Sequence, residues 1–89
     1  MKAVITVTGK DGVGIIAKVS VMCSEYNANI IDITQSVLSD YFAMIMLVEI
    51  DGLSVPFADF ADKLDALGRE VGLVISTVHE DIFNTMHHI

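Results

Sequence analysis

The segment YFAMIMLVEI (residues 41–50) constrains the fold more than any other part of the chain. Side chains alternate along an extended backbone, so Ala43, Ile45 and Leu47 share one face and Phe42, Met44, Met46, Val48 and Ile50 the other. A strand apolar on both sides belongs at the centre of a sheet, with both faces covered. The remaining elements must be arranged around it.

Residues 2–8, KAVITVT, alternate Ala3, Ile5 and Val7 against Val4, Thr6 and Thr8, the pattern of a first strand. Ile15, Val19, Met22 and Tyr26 then recur at helical spacing, and Ile16 and Cys23 widen their stripe. Asn27-Ala28-Asn29 closes this helix. The next strand, IIDITQSVL (30–38), sets Ile31, Ile33 and Val37 on one face and Asp32, Thr34 and Ser36 on a wet face. Ser39-Asp40 is a two-residue hairpin connection into the central strand. Asp51-Gly52 turns the chain, and Ser54-Val55-Pro56 opens a second helix with proline in its first turn. Phe57, Phe60, Leu64, Leu67 and Val71 form its buried stripe, while Asp59/Lys63 and Asp65/Arg69 are pairs on its wet side. Gly72 stops the helix, and LVISTVH (73–79) is a fourth strand.

The order β-α-β-β-α-β predicts an α+β, ferredoxin-like fold: a four-stranded antiparallel sheet with two helices on one face. Residues 1–80 form a single domain, and 81–89 are a C-terminal tail with room for a short helix. In this plan the first and third strands are central, and the second sheet face is left open. An open apolar face on a small domain marks an interface, so a homodimer or higher homo-oligomer is expected.

Composition agrees. Eighty-nine residues bury only about two-thirds of their surface alone. Yet 53% are hydrophobic and the mean hydropathy is +0.60, rich for a lone soluble domain. No apolar run reaches the ~18 residues of a membrane span, and the N-terminus lacks a cleavage pattern, so a soluble protein without a membrane role is expected. A single cysteine, Cys23, permits no disulfide framework and fits the cytoplasm. Twelve acidic residues against five basic ones, a formal charge of -7, argue against direct nucleic-acid binding.

The chemistry centres on TGKDGVGI (8–15), three glycines between a strand and a helix. Gly9, Gly12 and Gly14 match neither the Walker nor the dinucleotide spacing. Acylphosphatases share the element order but carry an arginine in this loop, whereas the only arginine here is Arg69, on the second helix. Metal-carrying domains of the fold use C-x-x-C, which is absent, and Ser20, Ser24, Ser36 and Ser39 have no histidine near them in sequence, so no catalytic residue and no cofactor are expected. His79, Glu80, Asp81, His87 and His88 are suitable metal-ligand types, but adjacent terminal histidines are more often simply exposed. The loop itself is a helix start whose free N–H groups favour an anion such as a carboxylate. Gly14 weakens a helix, which close approach of a backbone or of a ligand would explain. Asp11 is either a helix cap or a ligand contact.

With DGVGI (11–15) after the first strand and Asn29-Ile30 opening the second, residues 2–80 resemble the ACT domain, whose usual loop is D-[RK]-P-G-[LI]. The N-terminal stretch together with HEDIFNTMHHI more narrowly resembles a bacterial family of small stand-alone ACT-domain proteins, related to domains of the glycine-cleavage transcriptional repressor. The resemblance implies a non-catalytic regulatory domain that binds a small ligand, often an amino acid, near a homodimer interface, and that acts on a regulated protein partner. The implied ligand-binding residues are Asp11, Gly12, Val13, Gly14, Asn29 and Ile30; Val13 stands where the family has proline and Gly12 where it has a basic residue. The rival reading is a constitutive dimer that serves as a protein interaction module and binds no small ligand.

Overall fold

The computed structural model describes residues 1–86. Its elements follow in the order β1 (Lys2–Gly9), α1 (Ile15–Glu25), β2 (Asn29–Leu38), β3 (Tyr41–Glu49), α2 (Phe57–Val71), β4 (Val74–His79) and α3 (Glu80–Met86). The strands form one antiparallel sheet in the order β2-β3-β1-β4. This is the ferredoxin-like plan expected from the element order, with β1 and β3 at its centre.

The core lies on one side of the sheet. Ala3, Ile5 and Val7 of β1, Met44, Met46 and Val48 of β3 and Ile75 of β4 are buried there against Ile15, Val19 and Cys23 of α1 and Phe60 and Leu64 of α2. Burying a side chain of this size contributes roughly 1.5–3 kcal/mol, so these contacts outweigh the weak helix propensity of the β-branched residues in α1. Tyr26 at the end of α1 meets Phe60 of α2 edge to face, ring centroids 6.2 Å apart, which joins the two helices. Their connections are tied as well: Asn27, at φ 65°, donates its side-chain amide to the Gly52 carbonyl at 3.0 Å, and the Ser54 amide donates to the Tyr26 carbonyl at 2.9 Å. Proline ends up one residue outside the second helix, as its N-cap, and Gly72 closes that helix at φ 78°. Of the two expected ion pairs on α2, Arg69 and Asp65 meet at 3.0 Å.

Three expectations change. The central strand is covered on one face only: Met44, Met46 and Val48 are buried, whereas Ala43 and Ile45 on the other face are exposed. A central position supplies hydrogen-bonded neighbours at both edges but no cover above and below, and α1 and α2 both land on the same side. In β2, a register shift between Ile30 and Asp32 makes Ile31 an extra residue, out of step with its neighbours. Ile33 and Val37 then face the helix side opposite Met46 and Phe42, while Asp32, Thr34 and Ser36 face the open side, as their alternation implied. The helix-side residues of β2 are nevertheless uncovered beyond Ile30, because β2 is the edge strand; every residue from Ile31 to Leu38 is exposed.

The tail region supplies α3, which continues from β4 without a loop. It packs on β1 and β4, and Val4, which points to the open face, is only 4% exposed. One end of the open face is thereby covered. Among the described residues, no helix is long and apolar enough to cross a membrane.

Candidate ligand site

The loop between β1 and α1 is shaped by two glycines with different reasons. Gly14 is the N-cap of α1 and sits in the left-handed region at φ 76°; a Cβ there would meet nothing within 4 Å. Its requirement is therefore conformational, and no neighbouring backbone crowds it. Gly12 is the reverse case, for a Cβ on it would come within 2.5 Å of the Phe42 ring. The loop lies flat over Phe42, at the end of the sheet where Gly9 pairs with Phe42 and the β2-β3 hairpin turns.

Internal hydrogen bonds fix the loop. The Val13 amide donates to a carboxylate oxygen of Asp11 at 3.1 Å, the Ile15 amide to the Gly12 carbonyl at 3.1 Å, and the Lys18 amide to the Gly14 carbonyl at 3.2 Å. Asp11 thus closes a turn inside the loop and does not cap the helix directly. Among the described residues the amides of Gly14, Ile16 and Ala17 have no acceptor. They are the unpaired donors every helix start presents, and they carry its positive dipole end.

Beside the loop is a concavity of about 630 Å³, walled by Lys10, Asp11, Gly12 and Val13 on one side and by Ser39, Asp40 and Tyr41 of the hairpin on the other. The Lys10 ammonium stands 5.9 Å from the centre of the Tyr41 ring, within reach of its π face. The sequence marks Ser39 and Asp40 only as a hairpin connection and does not link them to the loop. The pairing of Gly9 with Phe42 puts them here, and only strand register reveals that.

Asn29 and Ile30 are elsewhere. Asn29 pairs with Glu49 at the opposite end of the sheet, where it shares a second concavity of about 390 Å³ with Ser20, Ser24 and Asn27. Val37, which lines the loop concavity, follows Asn29 by eight residues of extended chain, ~26 Å at strand rise. Within one chain, Asp11, Gly12, Val13 and Gly14 come together, and Asn29 and Ile30 form a separate polar recess. Ser20 and Ser24, four residues apart on one side of α1, are the members of that recess that sequence reasoning missed.

Cys23 borders the same recess but is buried, and burial pushes its thiol up to about 11, which keeps it protonated and inert. His79 stacks on Phe57 with centroids 4.1 Å apart. Among the described residues no three potential ligands cluster closely enough to hold a metal ion, and His87 and His88 lie outside the described residues.

Comparison with known proteins agrees with this architecture. The family model of the ACT domain matches residues 2–78. A UPF0237 protein of Clostridium acetobutylicum is 45% identical over 89 residues, covering 100% of both chains. One from Methanocaldococcus jannaschii is 44% identical over 88 residues, covering 99% of this chain and 98% of its own. Among solved structures, an ACT domain protein from Streptococcus pneumoniae superposes with a TM-score of 0.80 at 40% identity, covering 93% of each chain. A formyltetrahydrofolate deformylase from Pseudomonas syringae shares the fold at 22% identity and a TM-score of 0.77, but the match spans 27% of that enzyme. The fold there is one part of a larger protein. Together, the matched family model and the full-length relatives establish that this chain belongs to the ACT-domain family, among its small UPF0237 members.

Proposed function

We propose that this protein is a non-catalytic regulatory domain that binds a small amino acid at the β1-α1 loop, near the interface of a homodimer. ACT domains are typically regulatory and ligand-binding. The observation that carries the reading here is the loop: among the described residues the Gly14, Ile16 and Ala17 amides have no acceptors, and the residues just before them, Asp11 to Val13, wall a concavity that also holds the Asp11 and Asp40 carboxylates. The amides and the helix dipole suit the ligand's carboxylate. The Asp11 oxygen not engaged by the Val13 amide suits its ammonium.

The separation of Asn29 from the loop supports a site completed by two chains. The β2 edge is exposed along its length and bears Ile31, Ile33, Val37 and Leu38, an invitation to strand pairing. Two copies joined antiparallel through β2, centred on Ile33 and Thr34, would set Asn29 of the second copy beside Leu38, next to the loop concavity. Its carboxamide could then contact the same ligand. Binding would order two chains at once, and a regulated protein partner would sense that change.

Titration calorimetry with the common amino acids tests this. One of them binds below millimolar, and Asn29→Ala and Asp11→Ala each weaken it about tenfold, or about 1.4 kcal/mol. If none binds below millimolar and Asn29→Ala changes nothing, the reading fails.

A second reading, a constitutive dimer acting as an interaction module, is favoured by a separate feature. Ala17, Val21 and Met22 of α1 and Leu67 of α2 line an apolar groove of about 340 Å³ on the outer side of the helices. Co-purification of a protein that survives Asp11→Ala and is lost on Val21→Lys would favour this module.

A further inference from the structure

We propose that Ser20 and Ser24 of the second copy read the side chain of the ligand, and that this ligand is an amino acid whose side chain ends in an uncharged hydrogen-bonding group, a hydroxyl or a carboxamide. The inference rests on the two-chain site of the ligand-binding reading and adds its specificity.

Strand register brings the two hollows together. The edge pairing that sets Asn29 beside Leu38 also sets Ile30 of one copy opposite Val37 of the other. Within each chain Ile30 pairs with Val48 and Val37 with Phe42, so both face the helix side of the sheet. Directly opposed residues of antiparallel strands share a face, and this pairing satisfies that condition. Ile30 lines the polar recess and Val37 lines the loop concavity. Across the joined edges, the recess of one copy adjoins the loop of the other on the same side. A ligand held at the loop by its carboxylate and ammonium then directs its side chain into the recess.

The polar groups of the recess are free to bind. A helix serine or threonine can return its hydroxyl to the carbonyl four residues back, as Thr85 does to Asp81 on α3 at 3.0 Å. Ser20 and Ser24, one turn apart on the flank of α1 nearest β2, make no such bond among the described residues. Ser20 is half-buried and Ser24 exposed. Asn27 engages its side-chain N–H with the Gly52 carbonyl at 3.0 Å, which leaves its side-chain oxygen as a fixed acceptor.

Charge narrows the ligand. Among the described residues no charged side chain lines the recess. It lies at the C-terminal end of α1, where the helix dipole is negative, so an acidic side chain is disfavoured. A basic side chain would find no carboxylate, since Glu25 lies on the other flank of α1, in the groove that Leu67 of α2 completes. Desolvating a charge without a partner is costly. An apolar side chain would take water from both hydroxyls and from Asn27 and supply no hydrogen bond in return. A hydroxyl or a carboxamide both donates and accepts, as these groups require.

Titration calorimetry of the full chain compares serine with alanine, threonine with valine, and asparagine and glutamine with their acids and with leucine. At least one hydroxyl or carboxamide ligand is expected to bind about tenfold more tightly than its counterparts, the worth of one neutral hydrogen bond, and the unmutated chain alone gives this ratio. Ser20→Ala combined with Ser24→Ala should abolish the preference. Mixing that double variant with Asp11→Ala should restore tight binding at one site per mixed dimer, because the intact loop of one chain then meets the intact serines of the other. Apolar or charged counterparts that bind as tightly as the hydroxyl and carboxamide ligands would overturn this inference and leave the ligand-binding reading standing. A preference that survives the loss of both hydroxyls, or that mixing does not restore, would remove the second copy's serines from the site. If no amino acid binds, both readings fall together.

Discussion

Gly12 lies against the ring of Phe42 so closely that a β-carbon on it would sit 2.5 Å from two ring atoms. Gly12→Ala must therefore push the loop or the ring aside, and overpacking of this kind costs about 1–3 kcal/mol. Gly14→Ala meets no atom within 4 Å but must adopt φ 76°, which costs an L-residue about 1–2 kcal/mol. The two substitutions should separate on pairing with a relieving change. Phe42→Leu recovers part of the loss from Gly12→Ala and none of the loss from Gly14→Ala. Urea denaturation of the single and double variants measures both.

The hydroxyl of Thr77 is buried and lacks a hydrogen-bond partner among the described residues. It lies on β4 opposite Ile5, on the core side of the sheet. Thr77→Val keeps the shape and removes a desolvated polar group, so it should stabilise the protein by about 1 kcal/mol. An unchanged or lowered urea midpoint would refute this account.

The N-terminal ammonium is held by Asp51 at 2.6 Å and Glu49 at 3.4 Å, with Met1 and Asp51 exposed and Glu49 half-buried. The hydrogen bond from the ammonium holds Asp51 below its ordinary carboxylate value of 3.8, and the same bond raises the ammonium above its ordinary 8.0. A lowered carboxylate contributes stability above its unfolded value that is lost as pH falls through the folded one. A raised ammonium contributes below its unfolded value and loses that contribution as pH rises through the folded one. The clamp should hold between these limits and weaken in both the acid and the alkaline direction. Asp51→Asn should flatten both limbs of a melting temperature against pH profile, and added salt should shrink the difference, since Met1 and Asp51 are both exposed.

Burial raises the Cys23 thiol to about 11, so it should resist thiol reagents at neutral pH in the folded protein and react at the ordinary rate once denatured. The labelling rate in a urea series should follow unfolding. Rapid labelling without urea would show that the recess lined by Ser20, Ser24 and Asn29 opens through α1.

Several parts of this structure were legible because they depend on neighbours in the chain. The two-faced apolarity of residues 41–50 identified β3, and the spacing of Ile15, Val19 and Cys23 and of Phe60 and Leu64 marked the buried stripes of the helices. Gly72 ended α2 through its own backbone freedom. The exposure of Ile45 was not legible, because a side chain's covering depends on where distant helices land.

The candidate site divides along the same line. By itself the sequence determined the order of elements, the central place of β3 and a glycine loop opening α1, since periodicity and backbone preference act over a few residues. Only the tertiary structure decided that Ile31 is the extra residue of a bulge, that β2 is bare, that Phe42 underlies Gly12, and that Asn29 stands a strand's length from the loop. Those relations follow from strand register and from the side on which the helices pack, both of which are settled by contacts between residues far apart in the chain.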